Sequence, residues 1–164
     1  MRRFAELLAA LDHTTRTGAK VDAIAAHLRE ADDADAAWAV YLLAGERHRR
    51  VLTSRALRDA CVRITGLPAW LVEQSYAHVG DGAETVTLLV RAERRAGRLD
   101  AIFDPELADL PLHVWLNDRL PALRDAGDEP LDATLRAWWT GLPEDQLYVL
   151  NKVIAGGFRV GVSK

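Results

Sequence analysis

The chain has 164 residues, of which 49% are hydrophobic and 27% charged, and its formal net charge is −3. These values are typical of a globular domain with one sizeable core, and they argue against a uniformly basic nucleic-acid binder. No run of about 18 apolar residues occurs and acidic residues interrupt the first apolar stretch, so neither a membrane-spanning helix nor a signal peptide is expected.

Apolar residues at helical spacing predict an all-α fold with very little strand. The first helix is expected over residues 2–12, and two more follow it. A basic loop over residues 46–53 leads to a fourth helix, for which Ser54 can serve as the N-cap. A fifth helix is expected over residues 68–79, and the tight turn Gly80–Gly82 separates it from a sixth.

The second half of the chain begins with residues 95–110, the longest stretch without a helical pattern, which is expected to be irregular and flexible. A seventh helix should begin near Pro111 and be kinked or split at Pro121, because proline lacks the amide hydrogen that a helix interior needs. Pro130 and Pro143 are expected to open the eighth and ninth helices. Without a repeat of fixed period or a low-complexity linker, the chain is interpreted as one compact domain of eight or nine helices.

Charges are segregated along the chain. From Arg47 to Arg58 there are five arginines and no acidic residue, and from Arg91 to Arg98 there are four arginines and one acid. Such segregation can give one basic face to a protein whose total charge is negative. Alternatively, each cluster is only a solvated helix end or loop. The single cysteine, Cys61, excludes an internal disulfide and suits a reducing cytoplasm.

The final stretch combines the end of a helix with an extended run. Gly156 and Gly157 are expected to end the ninth helix, because the residue after a helix often adopts the left-handed conformation that glycine tolerates. In the alternating run that follows, Arg159 points away from the apolar side chains. A glycine pair beside an outward arginine can contact an anionic backbone, although a helix cap followed by a tail explains the same pattern.

No pattern of catalytic or metal-binding residues is found in the sequence. The five histidines form no pair three or four residues apart, and with one cysteine they predict no metal cluster. The turn at residues 80–82 fails as a dinucleotide-binding fingerprint, and neither a Walker A loop nor a G-x-S-x-G nucleophile motif occurs. We therefore expect no catalytic residue, no metal site and no cofactor on this chain.

The end of the chain, Asn-Lys-Val-Ile-x-Gly-Gly-Phe-Arg-Val-Gly-Val-Ser over residues 151–163, resembles the end of the N-terminal DNA-binding domain of bacterial ATP-dependent DNA ligases. Weaker similarities occur upstream in the order of that family: Asp-x-Thr-Thr-x-Thr-x-x-Lys-Val at 12–21, Trp-Ala-Val-Tyr-Leu-Leu-Ala-Gly at 38–45, and Glu-x-Ser-Tyr-x-x-Val-Gly-Asp-x-x-Glu-Thr at 73–85. The resemblance implies that residues 1–164 form a helical domain that grips nicked duplex DNA through its backbone and minor groove. It also implies partner domains outside this chain, an adenylation domain and an OB-fold domain, which use ATP and Mg²⁺.

Three groups of residues are expected to contact DNA phosphates. The first belongs to the final motif, the second is the turn where the amino end of a helix can meet phosphate, and the third rests on charge alone. In that order, the groups are Arg159, Gly156, Gly157 and Lys152; Gly80 and Gly82; and Arg47, Arg49 and Arg50.

Catalysis is not expected on this chain. Ligases of this kind join AMP to the lysine of a K-x-D-G motif, and the nearest match, Lys20-Val21-Asp22-Ala23, lacks the glycine. The expected role is therefore DNA binding in the cytoplasm. The competing hypothesis is a helical protein-interaction module with no nucleic-acid role, which the acidic pI near 5.9 and an exposed Trp138–Trp139 pair would favour.

Overall fold

The computed structural model describes residues 1–46, 49–156 and 158. Within these ranges the chain forms ten α-helices and no strand, which confirms the all-α prediction and adds one short helix to the expected number. None of the described helices is both long and apolar enough to cross a membrane. The helices are α1 (Arg2–Asp12), α2 (Thr17–Glu30), α3 (Asp33–Leu43), α4 (Ser54–Thr65), α5 (Ala69–Val79), α6 (Gly82–Arg95), α7 (Pro105–Asp109), α8 (Leu112–Val114), α9 (Asp128–Gly141) and α10 (Glu144–Ala155).

Helix α6 lies at the centre of the fold and packs against α4, α5 and α10. Its inward residues Val86 and Val90 are fully buried. Leu147, Leu150 and Ile154, which share one face of α10, are also fully buried. Burial of a large aliphatic side chain stabilises a fold by roughly 1.5–3 kcal/mol, so this central contact contributes much of the stability.

Three buried polar side chains join α6, α9 and α10. Trp139 Nε1 donates to Asn151 Oδ1 at 3.0 Å, and Asn151 Nδ2 donates to Thr87 Oγ1 at 3.0 Å. The Thr87 hydroxyl in turn donates to the carbonyl oxygen of Ala83 at 2.7 Å. Because buried polar groups are costly without partners, this chain of bonds favours one register of the three helices over others.

The second arginine cluster, residues 91–98 at the end of α6, makes hydrogen bonds and ion pairs within the domain. Arg91 Nε donates to the carbonyl oxygen of Glu144 at 3.2 Å, and Arg94 Nη1 donates to that of Leu142 at 2.8 Å. Arg95 Nη2 lies 2.6 Å from Glu144 Oε2. These bonds tie the C-terminus of α6 to the junction of α9 and α10, so the cluster is neither a free basic face nor merely solvated.

Four expected helix starts were wrong by one or two residues. At two of them the proline, Pro68 or Pro143, is the N-cap instead of the first helical residue. The N-cap of α4 is Thr53 rather than Ser54, because Thr53 Oγ1 accepts from the amide of Ala56 at 3.1 Å. Helix α9 begins at Asp128, so Pro130 is its third residue instead of its first. The first turn accommodates proline there because its amides have no partner within the helix.

The stretch expected to be irregular contains a helix of its own, α7. Asp104 is its N-cap and accepts from the amide of Leu107 at 3.0 Å. The amide of Asp104 donates to the carbonyl oxygen of Gly141 at 3.0 Å, which attaches the stretch to the end of α9. Five residues are too few to show a helical period, so only the Asp-Pro start could have indicated this helix.

The predicted break at Pro121 is confirmed and has a defined geometry. After α8 the chain forms a π turn over Trp115–Arg119, in which the amide of Leu120 donates to the carbonyl oxygen of Trp115 at 2.9 Å. A 3₁₀ turn then spans Pro121–Leu123. Because Pro121 cannot donate a hydrogen bond, the chain leaves α geometry immediately before it.

The tryptophans of α9 are core residues. Trp139 is fully buried and Trp138 nearly so, and the rings of Trp138 and Trp115 meet edge to face with centroids 4.9 Å apart. Both side chains therefore belong to the core, and the exposed pair that would have favoured a protein-interaction module is not found. The exposed tryptophan is instead Trp70 on α5, at 67% exposure.

Cys61 lies on the inner face of α4 with Leu57 and Ile64 and is fully buried. Burial raises the pKa of the Cys61 thiol to about 12. The thiolate is the reactive form of cysteine, so this side chain is inert in the folded domain.

Candidate nucleic-acid interface

The structure describes most of the residues that were expected to contact DNA. The described ones are Lys152, Gly156, Gly80, Gly82, Arg49 and Arg50. The others, Arg47, Gly157 and Arg159, lie outside the described residues, as does the extended run apart from Phe158. Phe158 packs against Phe4 of α1 with ring centroids 5.6 Å apart, so the chain beyond α10 starts along the domain rather than away from it.

The basic loop before α4 folds against the end of α10. The amides of Val51 and Leu52 both donate to the carbonyl oxygen of Ile154, at 2.9 and 3.1 Å. The last carbonyl groups of a helix have no partner within it, so the loop satisfies one of them. Arg49 and Arg50, which directly precede these two residues, are exposed.

Gly156 is the left-handed residue that ends α10. Its φ is +70° and its amide donates to the carbonyl oxygens of Lys152 and Val153, which confirms a glycine cap at the expected position. The amide of Gly156 was also expected to contact phosphate, and that contact stays a prediction. The cap already uses this donor.

Lys152 is bound to the turn between α5 and α6. Its Nζ donates to Asp81 Oδ2 at 2.6 Å and lies 5.3 Å from the ring centroid of Tyr148. Partial burial alone would lower the pKa of Lys152, but the Asp81 hydrogen bond and the neighbouring Tyr148 raise it above the ordinary value. The ammonium expected to contact phosphate is therefore charged, but it is paired with a carboxylate.

The Gly80–Gly82 turn joins the carboxyl end of α5 to the amino end of α6, and it lies against the amino end of α4. Gly80 is the left-handed cap of α5, and Asp81 is the N-cap of α6, accepting from the amide of Glu84 at 2.9 Å. A Cβ on Gly82 would lie 2.0 Å from Ser54 Oγ in the first turn of α4. Glycine at position 82 therefore permits the close approach of α4 and α6.

Arg58 connects α4 to α5 beside the contact between α4 and α6, and it is almost fully buried. Its Nη1 donates to Ser54 Oγ at 2.8 Å, its Nε donates to Glu73 Oε1 at 2.8 Å, and its guanidinium lies 3.8 Å from the ring centroid of Tyr76. In the sequence, Arg58 belongs to the run of five arginines that could form a basic face. Its spacing of four from Ser54 on one helix was the available sign of its structural role.

The surface thus combines the positive ends of α4 and α6, the arginines of the preceding loop and the paired Lys152. Backbone amides at helix amino ends and arginine side chains both bind phosphate groups. Arg55, in the first turn of α4, adds a further exposed cation, and its contact to Asp59 is long at 3.9 Å. Chemically, the arrangement suits an anionic polymer that runs across both helix ends.

A second polar cluster lies where α3 meets α8. Asp32, Asp35 and His113 hold their ligand atoms within 4.8 Å of one another, which is close enough for a metal ion. However, Asp35 accepts from the amides of Leu112 and His113 at 3.0 and 2.8 Å, so it caps α8. Asp35 and His113 are 78 residues apart, and no sequence spacing could have revealed this contact.

Comparison with protein families gives a match over the whole chain, residues 1–164, to the family described as DNA ligase N terminus. No match is found among curated proteins. The family match agrees with the all-helical fold of the described residues and with the motif at the end of the chain. The chain therefore belongs to the DNA ligase N-terminus family.

Proposed function

We propose that this chain is the DNA-binding domain of an ATP-dependent DNA ligase and that it holds nicked duplex DNA for sealing in repair, replication or recombination. The observation that carries the proposal is the convergence of the basic loop, the end of α10 and the amino ends of α4 and α6 on one surface. Described members of the three groups support the proposal, because Lys152 bonds to the turn at residues 80–82 and the loop that follows Arg49 and Arg50 bonds to the end of α10. The adenylation and OB-fold domains, with ATP and Mg²⁺, supply the chemistry.

Recognition through this surface is of the phosphate backbone rather than of base sequence. Arginine side chains and helix amino ends bind phosphate oxygens, which are the same at every base pair. The net charge of −3 limits long-range attraction to DNA, so binding by the isolated domain is weak and depends on a few local contacts.

We expect the domain to bind nicked duplexes of two unrelated sequences with equal affinity and with strong salt dependence. Each neutralised phosphate contributes about 0.9 to the slope of log affinity against log salt concentration, so a few contacts give a slope of a few units. Fluorescence anisotropy with labelled duplexes at several salt concentrations measures both quantities. A marked preference for one sequence, or an affinity independent of salt, would contradict the proposal.

The same titration distinguishes the proposed function from the competing one. The acidic pI still favours a helical protein-interaction module. The tryptophan pair no longer does, because both side chains are buried. If the domain binds no duplex DNA even at low salt, the interaction module becomes the better explanation of the fold.

A further inference from the structure

Asp81 is shared by two parts of the proposed DNA-binding surface. Its Oδ1 accepts from the amide of Glu84 at 2.9 Å and so caps α6, while its Oδ2 accepts from Lys152 Nζ at 2.6 Å. The cap fixes the position of the carboxylate independently of the lysine. One carboxylate therefore joins the amino end of α6 to the last turn of α10.

The carboxylate lies on the solvent side of this ion pair. The side chain of Asp81 is 39% exposed, whereas that of Lys152 is 11% exposed. An approaching phosphate therefore meets the negative group before the positive one. Bonds from Lys152 and from the Glu84 amide hold the pKa of Asp81 below its usual range despite burial, so the carboxylate is charged at neutral pH.

We propose that Asp81 restrains Lys152 and thereby limits the affinity of this surface for DNA. The inference rests on the function proposed above. In the free domain the Asp81 carboxylate neutralises the positive charge of Lys152. The lysine is therefore not available to neutralise a phosphate. Asp81 acts as a positioning residue that keeps DNA binding weak enough for release after sealing.

Asp81→Asn is a clean test because asparagine caps a helix as well as aspartate does. The substitution removes the charge that holds Lys152 and retains an acceptor for the Glu84 amide. We expect DNA to bind about tenfold more tightly, the effect of one additional charged hydrogen bond, and the salt slope to rise by about 0.9. A loss of structure alone would lower affinity, so it cannot produce this result.

A double-mutant cycle shows whether the effect passes through the lysine. Lys152→Met alone should weaken binding, because it leaves the Asp81 carboxylate without its partner, and the double variant should bind about as well as the parent. Glu84→Gln, which removes an exposed carboxylate from the same turn, is the matched control for charge. A double variant that binds DNA as tightly as Asp81→Asn alone, or a gain from Glu84→Gln as large as that from Asp81→Asn, would overturn the inference.

The remaining outcomes are also decisive. If the parent binds DNA with the expected salt slope but Asp81→Asn leaves affinity unchanged, the proposed function stands and this inference fails. If the parent binds no DNA at low salt, the proposed function fails and the inference falls with it. Should Asp81→Asn unfold, as circular dichroism would show, Asp81→Ser supplies an equivalent cap without charge.

Discussion

Trp115→Ala is expected to lower the free energy of unfolding by about 3–5 kcal/mol, as deletions of large buried aromatic side chains do. Trp115 is fully buried, begins the π turn and packs edge to face on Trp138. A domain of this size has only about 5–15 kcal/mol of stability, so the variant should lose a large part of it. Denaturant unfolding followed by circular dichroism measures the difference.

The matched control is Trp70→Ala, because Trp70 is 67% exposed on α5. A surface substitution of this kind changes stability by at most about 0.5 kcal/mol. Trp115→Phe separates ring packing from hydrogen bonding: the Trp115 Nε1 has no hydrogen-bond partner among the described residues, so phenylalanine should recover most of the loss. If Trp115→Ala and Trp70→Ala unfold at the same denaturant concentration, the packing of the core has been misassigned.

Reversing the charges of Arg49 and Arg50 together is expected to weaken DNA binding at least 100-fold and to leave the melting temperature unchanged. A hydrogen bond to a charged group contributes roughly 1.5–3 kcal/mol, which corresponds to about tenfold or more for each arginine. Both side chains are exposed, so glutamate at these positions creates no cavity. The sequence predicts a loss of the same kind for Arg159→Glu, whose position lies outside the described residues.

A second double variant serves as the control for the change in net charge. Arg29→Glu with Arg119→Glu changes the total charge equally, and both positions are exposed, on α2 and the π turn, and belong to none of the groups expected to contact DNA. We expect this variant to bind DNA within a few fold of the parent. An equal loss in both double variants would mean that the overall field, and not contact at this surface, governs binding.

The sequence predicted helices wherever the apolar pattern was long enough to show a period. Phe4, Leu7, Leu8 and Leu11 repeat at helical spacing, and α1 has the predicted ends. Helix α7 was missed because five residues cannot show such a repeat. Capping was predicted less well, because neighbouring Thr53 and Ser54 are chemically equivalent as caps and only the geometry of the loop selects one.

The candidate site was predicted as separate pieces rather than as a surface. The turn before α6, the end of α10 and the basic loop each carry a local signal of glycine or arginine. Their convergence depends on long-range contacts such as the bond between Lys152 and Asp81, which are 71 residues apart. For the same reason the sequence could not show that Lys152 is paired, since no local pattern indicates which carboxylate a lysine will contact.

The burial of the only cysteine has a practical consequence for following the domain in solution. Cys61 faces the core from α4, and its thiol pKa of about 12 suppresses reaction in the folded state. A thiol reagent can therefore modify it only when the packing around α4 opens, so the rate of modification reports the free energy of that opening. DNA held across the amino ends of α4 and α6 would slow the reaction without touching the sulfur. The native chain thus contains its own kinetic reporter of ligand binding, with no engineered label.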